Sequence, residues 1–231
     1  MGRFSELQTS GLAVKTLKYK QGSVLNSDVV FMATGLNQSV FETIRQGVCA
    51  ALSVAYLADV MKAKSAEIRG PLVSISAGEM TRFRRNKGIS SAADTGNQKI
   101  AADLVPDQAK LAAQWAKDWR AALESVVKAH ALKLNPMYRD LGPGFLKGVA
   151  GLLVEHVGGW VKYDLDVGGK SACHAVAVIR LFDGIHFFDP NIGGYRVAPE
   201  RFDEFVAKYL ELIKSNFGWS YRSGTLCLLN V

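Results

Sequence analysis

Apolar positions recur with helical spacing in the first half of the chain and with strand spacing in much of the second. Over residues 46–64, Leu52, Ala55, Tyr56, Val60 and Met61 repeat at helical intervals between flanks of small residues, which predicts a helix buried nearly all round. Pro106 opens a second predicted helix that runs to about His130, with Leu111, Trp115, Trp119, Leu123, Val126 and Val127 on one face. A short apolar helix is expected over 145–156, with Leu152 and Leu153 in the core, after breaks at Asn135-Pro136 and Gly142-Pro143-Gly144. Pro199 starts a last helix to about Lys214, turning Phe202, Phe205, Val206, Tyr209 and Ile213 inward. Strands are predicted at 71–75, 160–167, 175–179, 185–188, 195–197 and 225–231, the last with a buried Cys227. Residues 1–40 read as an N-terminal arm or extra strands ahead of a main domain over 41–231. Helices first, then an antiparallel sheet with one late helix, indicate an α+β fold.

The strands at 175–179 and 185–188 carry the most chemistry. The first is small and β-branched on both faces, as in a strand covered from both sides. Asp183-Gly184 is a turn signal, and Pro190, which has no N–H for a ladder, ends the second strand at Asp189. A histidine, His174, therefore starts one strand and a carboxylate ends the next. Side chains alternate faces along a strand, so register decides whether the two meet. If Arg180 pairs with Ile185, His174 lies opposite Asn191, with Asp189 its diagonal neighbour on the same face. A register shifted one way pairs His174 with Asp189 directly. Shifted the other way, by a tight turn at Asp183-Gly184, it separates them by roughly 13 Å along the strand. The pairing is thus expected to need a wide loop or a bulge. His186 has the opposite parity to Asp189 and points to the other face.

Composition narrows the class. With 231 residues, 48% of them hydrophobic, the chain has enough apolar surface for one globular domain or two small ones. No apolar run is long enough to cross a bilayer, and Arg3 and Glu6 in a polar N-terminus do not fit a secretory signal. The 3 cysteines, Cys49, Cys173 and Cys227, are too scattered for a disulfide framework, and no CxxC or spaced Cys/His set suggests zinc. No metal and no cofactor are expected. The net charge is +7, part of it in a Gly/Ser-flanked loop with Arg82, Arg84, Arg85 and Lys87. Such a loop suits an acidic surface. Without an aromatic platform or a helix-turn-helix pattern it reads as a solvated loop, with no specific nucleic acid as partner.

Gly47 allows a tight turn into the helix at 46–64, which places Cys49 in its first turn. Unsatisfied N–H groups and the helix dipole favour an anion there. A free cysteine is more commonly a small buried hydrophobe, and helix position alone leaves Cys49 inert. The order Cys49, His174, Asp189 changes that balance, because an imidazole steadied by a carboxylate is half of a general-base apparatus that lacks only a nucleophile.

Three stretches carry a family resemblance: Gly47-Val48-Cys49-Ala50-Ala51-Leu52-Ser53, Cys173-His174-Ala175-Val176-Ala177-Val178, and Phe187-Phe188-Asp189-Pro190-Asn191-Ile192-Gly193-Gly194-Tyr195. Here the sequence resembles the YopT/AvrPphB family of bacterial effector cysteine proteases. The resemblance implies a papain-like fold, with a helical part carrying Cys49 packed on an antiparallel sheet carrying His174 and Asp189. It implies Cys49 as nucleophile, His174 as general base and Asp189 as its orienter. Gln46 is the first candidate for a side-chain oxyanion donor beside the Cys49 N–H, and Asn37 or Gln38 the second. The partner would be a protein of a host or target cell, reached by secretion through a non-classical route. Two alternatives stay open. Glutamine deamidase and transglutaminase toxins use the same three residue types, and a papain-like domain could serve only to bind, for instance through Arg82 to Lys87.

Overall fold

The computed structural model describes residues 3–17, 49–67, 118–142, 144–154 and 157–231. The chain opens with one helical turn, α1 (Glu6–Thr9), and a short strand, β1 (Val14–Leu17). The buried helix follows as α2 (Cys49–Glu67), and α3 covers 118–129. The remainder is β2 (Lys133–Leu141), a 3-10 turn (Val149–Gly151), β3 (Gly158–Val167), β4 (Lys170–Leu181), β5 (Gly184–Asp189), β6 (Gly193–Val197), α4 (Phe202–Phe217) and β7 (Trp219–Asn230). Among the described residues the strands form one 7-stranded sheet, ordered β1-β6-β5-β4-β3-β7-β2. Every neighbouring pair is antiparallel. Helices packed on such a sheet make an α+β fold. No helix among the described residues is long and apolar enough to cross a membrane.

The sheet divides two cores, and alternation along β4 divides its side chains between them. Ala175, Ala177 and Ile179 join α2, Leu123, Val126 and Val127 on one side, together with Trp160, Phe188 and Cys227. Val176 and Val178 join α4 on the other, with Tyr163, Phe187 and Tyr195. Gly158 on β3 lets α2 come close: a methyl added there would sit 3.0 Å from Leu57 Cδ2 and 3.1 Å from Met61 Sδ. Tyr56 of α2 stacks on Phe188 of β5 with ring centroids 4.5 Å apart. Two hydrogen bonds fix the start of α2 in the sheet. Trp160 Nε1–H donates to the Ala50 carbonyl at 3.2 Å, and Ser53 Oγ–H donates to the Ala175 carbonyl at 3.2 Å.

Several expectations need correction. The helix predicted over 145–156 is replaced by turns and the 3-10 segment, because Phe145 and Gly148 take positive φ angles of 51° and 75°, which no α-helix continues. Leu153 is buried as expected, but Leu152 is 41% exposed. Asn135-Pro136 does not break the chain. It lies within β2, at the sheet edge where the register shifts between Leu134 and Tyr138, and an edge bulge is where a strand accepts proline. Strands β4 and β7 extend beyond their apolar cores into polar residues, because β3 offers ladder partners along its whole length. Gly168 and Gly169, both at positive φ, make the tight turn between β3 and β4. At the N-terminus, α1 buries Leu7 and β1 pairs with β6. The strand expected at 71–75, the basic loop with Arg82, Arg84, Arg85 and Lys87, the first part of the helix from Pro106, and Asn37, Gln38 and Gln46 lie outside the described residues.

Gly184, at φ 137°, makes the first pair of the β4–β5 hairpin, and a methyl there would stand 2.8 Å from the Val197 carbonyl oxygen. Gly184→Ala is expected to destabilise the chain by about 1–3 kcal/mol in urea denaturation. Gly151→Ala, where nothing lies within 4 Å of the added methyl, should change stability by less than about 0.5 kcal/mol.

Candidate active site

The β4–β5 hairpin brings His174 and Asp189 together. Arg180 pairs with Ile185 and Leu181 with Gly184, so the connection is Phe182-Asp183, one position earlier than the Asp183-Gly184 turn signal. This is the register that makes Asp189 diagonal to His174. The wide loop or bulge expected from the sequence is not needed, because moving the turn by one residue has the same effect on pairing. The Asp-Pro-Asn sequence then has a local role. The Ile192 N–H donates to the Asp189 carbonyl at 3.0 Å, closing a turn with Pro190 in the position that favours its fixed φ. The Asn191 N–H donates to Asp189 Oδ1 at 2.8 Å, so the same turn aims the carboxylate.

His174 Nε2–H donates to Asp189 Oδ1 at 2.8 Å, and both side chains are buried, at 4% and 0% exposure. The side-chain amide of Asn191 lies 3.4 Å from the same nitrogen. The other carboxylate oxygen, Oδ2, accepts the Tyr209 hydroxyl proton at 2.7 Å. Tyr209 thereby spends its only proton, so in its 2.8 Å contact with Tyr163 the Tyr163 hydroxyl is the donor. The imidazole is also packed by rings. Tyr163, its cross-strand partner, meets it edge-on at 5.3 Å, and Trp219 lies 5.5 Å away.

Cys49 opens α2, half-buried, and its side chain lies close enough to His174 to raise the imidazole. Since Nε2 is held by Asp189, Nδ1 is the nitrogen left for the sulfur. Cys49 packs against the core on the α2 side of the sheet, whereas His174 and Asp189 share by parity the face that meets α4. The Ser53 bond to Ala175, the residue after His174, ties the first turns of α2 to the strand that carries the ring. Burial alone would push the imidazolium down. The charges of Asp189 and Cys49, and hydrogen bonds to both, outweigh it and raise His174 to about 10.

The remaining histidine of the hairpin points away, as parity requires. His186 Nε2–H donates to Asp183 Oδ1 at 2.8 Å, and Arg196 donates to Asp183 Oδ2 at 3.1 Å. Burial pushes the Asp183 carboxyl up, but these bonds and charges bring it to about 2. Cys173 neighbours the Cys49 thiol, and burial with that charge raises it. Tyr209 and Tyr163 were read from the sequence only as inward-facing and strand residues. The usable signal was a phenol placed in a wholly apolar stripe, because a buried hydroxyl needs a partner.

No family model matches this sequence, and no curated protein matches it significantly. Among solved structures, the crystal structure of the Pseudomonas avirulence protein AvrPphB shares the fold with a TM-score of 0.55 at 16% identity. The likeness covers 80% of this chain and 93% of that one. At this identity it is a likeness of fold.

The raised His174 value has a consequence for stability. The folded value lies above the unfolded value near 6.5, so the charge on His174 contributes fully below about 6.5 and its contribution is lost as pH rises towards about 10. The difference in unfolding free energy between the native chain and His174→Gln is therefore expected to be larger at pH 6 than at pH 9.5, by on the order of 2 kcal/mol. Urea denaturation at the two pH values measures it, and equal differences would show that no such charge is held.

Proposed function

We propose that the chain is a cysteine protease of the YopT/AvrPphB type, papain-like in fold, that cuts a protein of a host or target cell. The observation that carries this reading is the buried 2.8 Å His174–Asp189 bond, with Cys49 near enough to the imidazole to raise it. Cys49, as thiolate, attacks the scissile carbonyl carbon, and the C=O π electrons move onto oxygen. The tetrahedral intermediate collapses by expelling the amine, which takes the proton held on His174 Nδ1, and a thioester remains on Cys49. Water, losing a proton to the now neutral His174, attacks the thioester. The acid leaves and the thiolate and imidazolium are restored. Asp189 keeps the ring in one orientation and stabilises its charge throughout. The Cys49 N–H, at the start of α2, is the expected backbone donor to the oxyanion, and Gln46 is the proposed side-chain donor. Delivery from a bacterium through a non-classical secretion route is part of the same proposal.

The test compares the native chain with Cys49→Ala in a target-cell lysate, followed by mass spectrometry of new protein N-termini. Native protein is expected to create a defined set of new termini that Cys49→Ala does not. Cleavage of a substrate so found should fall by at least about 10⁴-fold in Cys49→Ala and in His174→Ala. A one-dalton gain on glutamine with no chain cut would instead assign a deamidase. No change in the lysate, with Cys49, Cys173 and Cys227 labelled alike by a thiol probe, would assign a binding module. With a substrate in hand, Gln46→Ala should lower kcat by about 10²- to 10³-fold with little change in KM, as expected for an oxyanion donor.

A further inference from the structure

The carboxylate of Asp189 has no contact with water, so its negative charge must be held by donors alone. Among the described residues three are present, and they come from three places in the fold. His174 on β4 and the Asn191 N–H in the following turn share Oδ1, whereas Oδ2 receives the Tyr209 hydroxyl from α4. That hydroxyl is itself fixed by Tyr163 on β3 at 2.8 Å. Both phenols are fully buried, and their rings pack on Phe145, which lies 5.0 Å from Tyr163 and 6.2 Å from Tyr209. Neither phenol meets the thiol's bond to the ring, and neither is used in the chemistry proposed above.

We propose that Tyr209, backed by Tyr163, is a positioning residue that keeps Asp189 ionised and aimed at His174, and so keeps the thiol and imidazole in their charged form. The inference rests on reading Cys49 and His174 as the reacting pair. Its physical basis is that a buried carboxylate is stable as an anion only while it accepts enough hydrogen bonds. Without the Tyr209 proton, Oδ2 is a buried oxygen with no donor. The pair can relieve this by moving the Nε2 proton from His174 to the carboxylate, which leaves a neutral imidazole and a neutral acid. The titrating and polar groups that face this pair are Cys49 on α2, Tyr163 on β3, Tyr195 on β6, Tyr209 on α4 and the Asn191 amide; Trp219 on β7 adds only an aromatic wall. Burial and the Asp189 charge hold Tyr163 and Tyr209 well above the ordinary phenol range, so both remain donors throughout the working pH range.

The test uses the full chain and needs no substrate. The imidazole of His174 is titrated by NMR in the native protein, Tyr209→Phe and Tyr163→Phe, and the rate of Cys49 alkylation by iodoacetamide is measured at pH 6. Phe keeps the ring packing at both positions. Tyr209→Phe is expected to lower the His174 midpoint by about one pH unit or more and to slow alkylation about tenfold at pH 6. Tyr163→Phe should move both in the same direction by less. In an Asp189→Asn background, Tyr209→Phe should add nothing further, because Tyr209 acts only through the carboxylate. An unchanged or raised His174 midpoint in Tyr209→Phe overturns the proposal, as does full additivity with Asp189→Asn. If Tyr209→Phe does not fold, the same criteria apply to Tyr163→Phe. Failure of the protease reading is a separate result: alkylation of native Cys49 would then be indifferent to His174→Ala, whatever the imidazole titration shows.

Discussion

A carboxylate sealed from water beside an imidazole is the constraint around which this molecule is built. Each charge alone would be costly to bury, and the pair is tolerable only when geometry is good and remaining lone pairs are occupied. The chain meets that requirement with ordinary devices. A two-residue hairpin loop sets how near the groups lie along their shared face, an Asx turn aims one carboxylate oxygen, and a phenol from the packed helix occupies the other. Losing any one of these leaves the desolvated charge less well compensated.

The architecture separates the two jobs of the site. The imidazole and its carboxylate belong to the hairpin and the α4 core, held by β4, β5 and the ring cluster of Tyr163, Phe187 and Tyr209. The sulfur belongs to α2 and the opposite core. The bonds from Trp160 and Ser53 register one against the other. Gly158 serves this arrangement directly, because a side chain there would push Leu57 and Met61, and α2 with them, away from the sheet.

Much of this was legible in the sequence because it rests on alternation and punctuation. The parity of 174, 186 and 189, the stop at Pro190 and the apolar run predicted over 46–64 are local signals, and the described residues match each of them, the run from Cys49 onward. What was not legible depends on partners distant in sequence. The position of the hairpin turn hung on one residue, since Phe182-Asp183 carries a weaker turn signal than Asp183-Gly184, and pairing on both sides of β5 decided it. Strand β2 hid behind Asn135-Pro136 because proline is a break in most settings and acceptable at an edge. The expected helix at 145–156 failed because the positive φ of Phe145 is a tertiary choice that propensity does not announce. The phenol partners of Asp189 looked like core, which they are, with a hydroxyl at the end.

The placement of the sulfur on a separate packing unit has a further meaning for how such a molecule ages. Heat or solvent that loosens the contact of Leu57 and Met61 with Gly158 would move the thiol away from the ring while every strand stays paired. The relation between Cys49 and His174 would then be lost ahead of any change in circular dichroism.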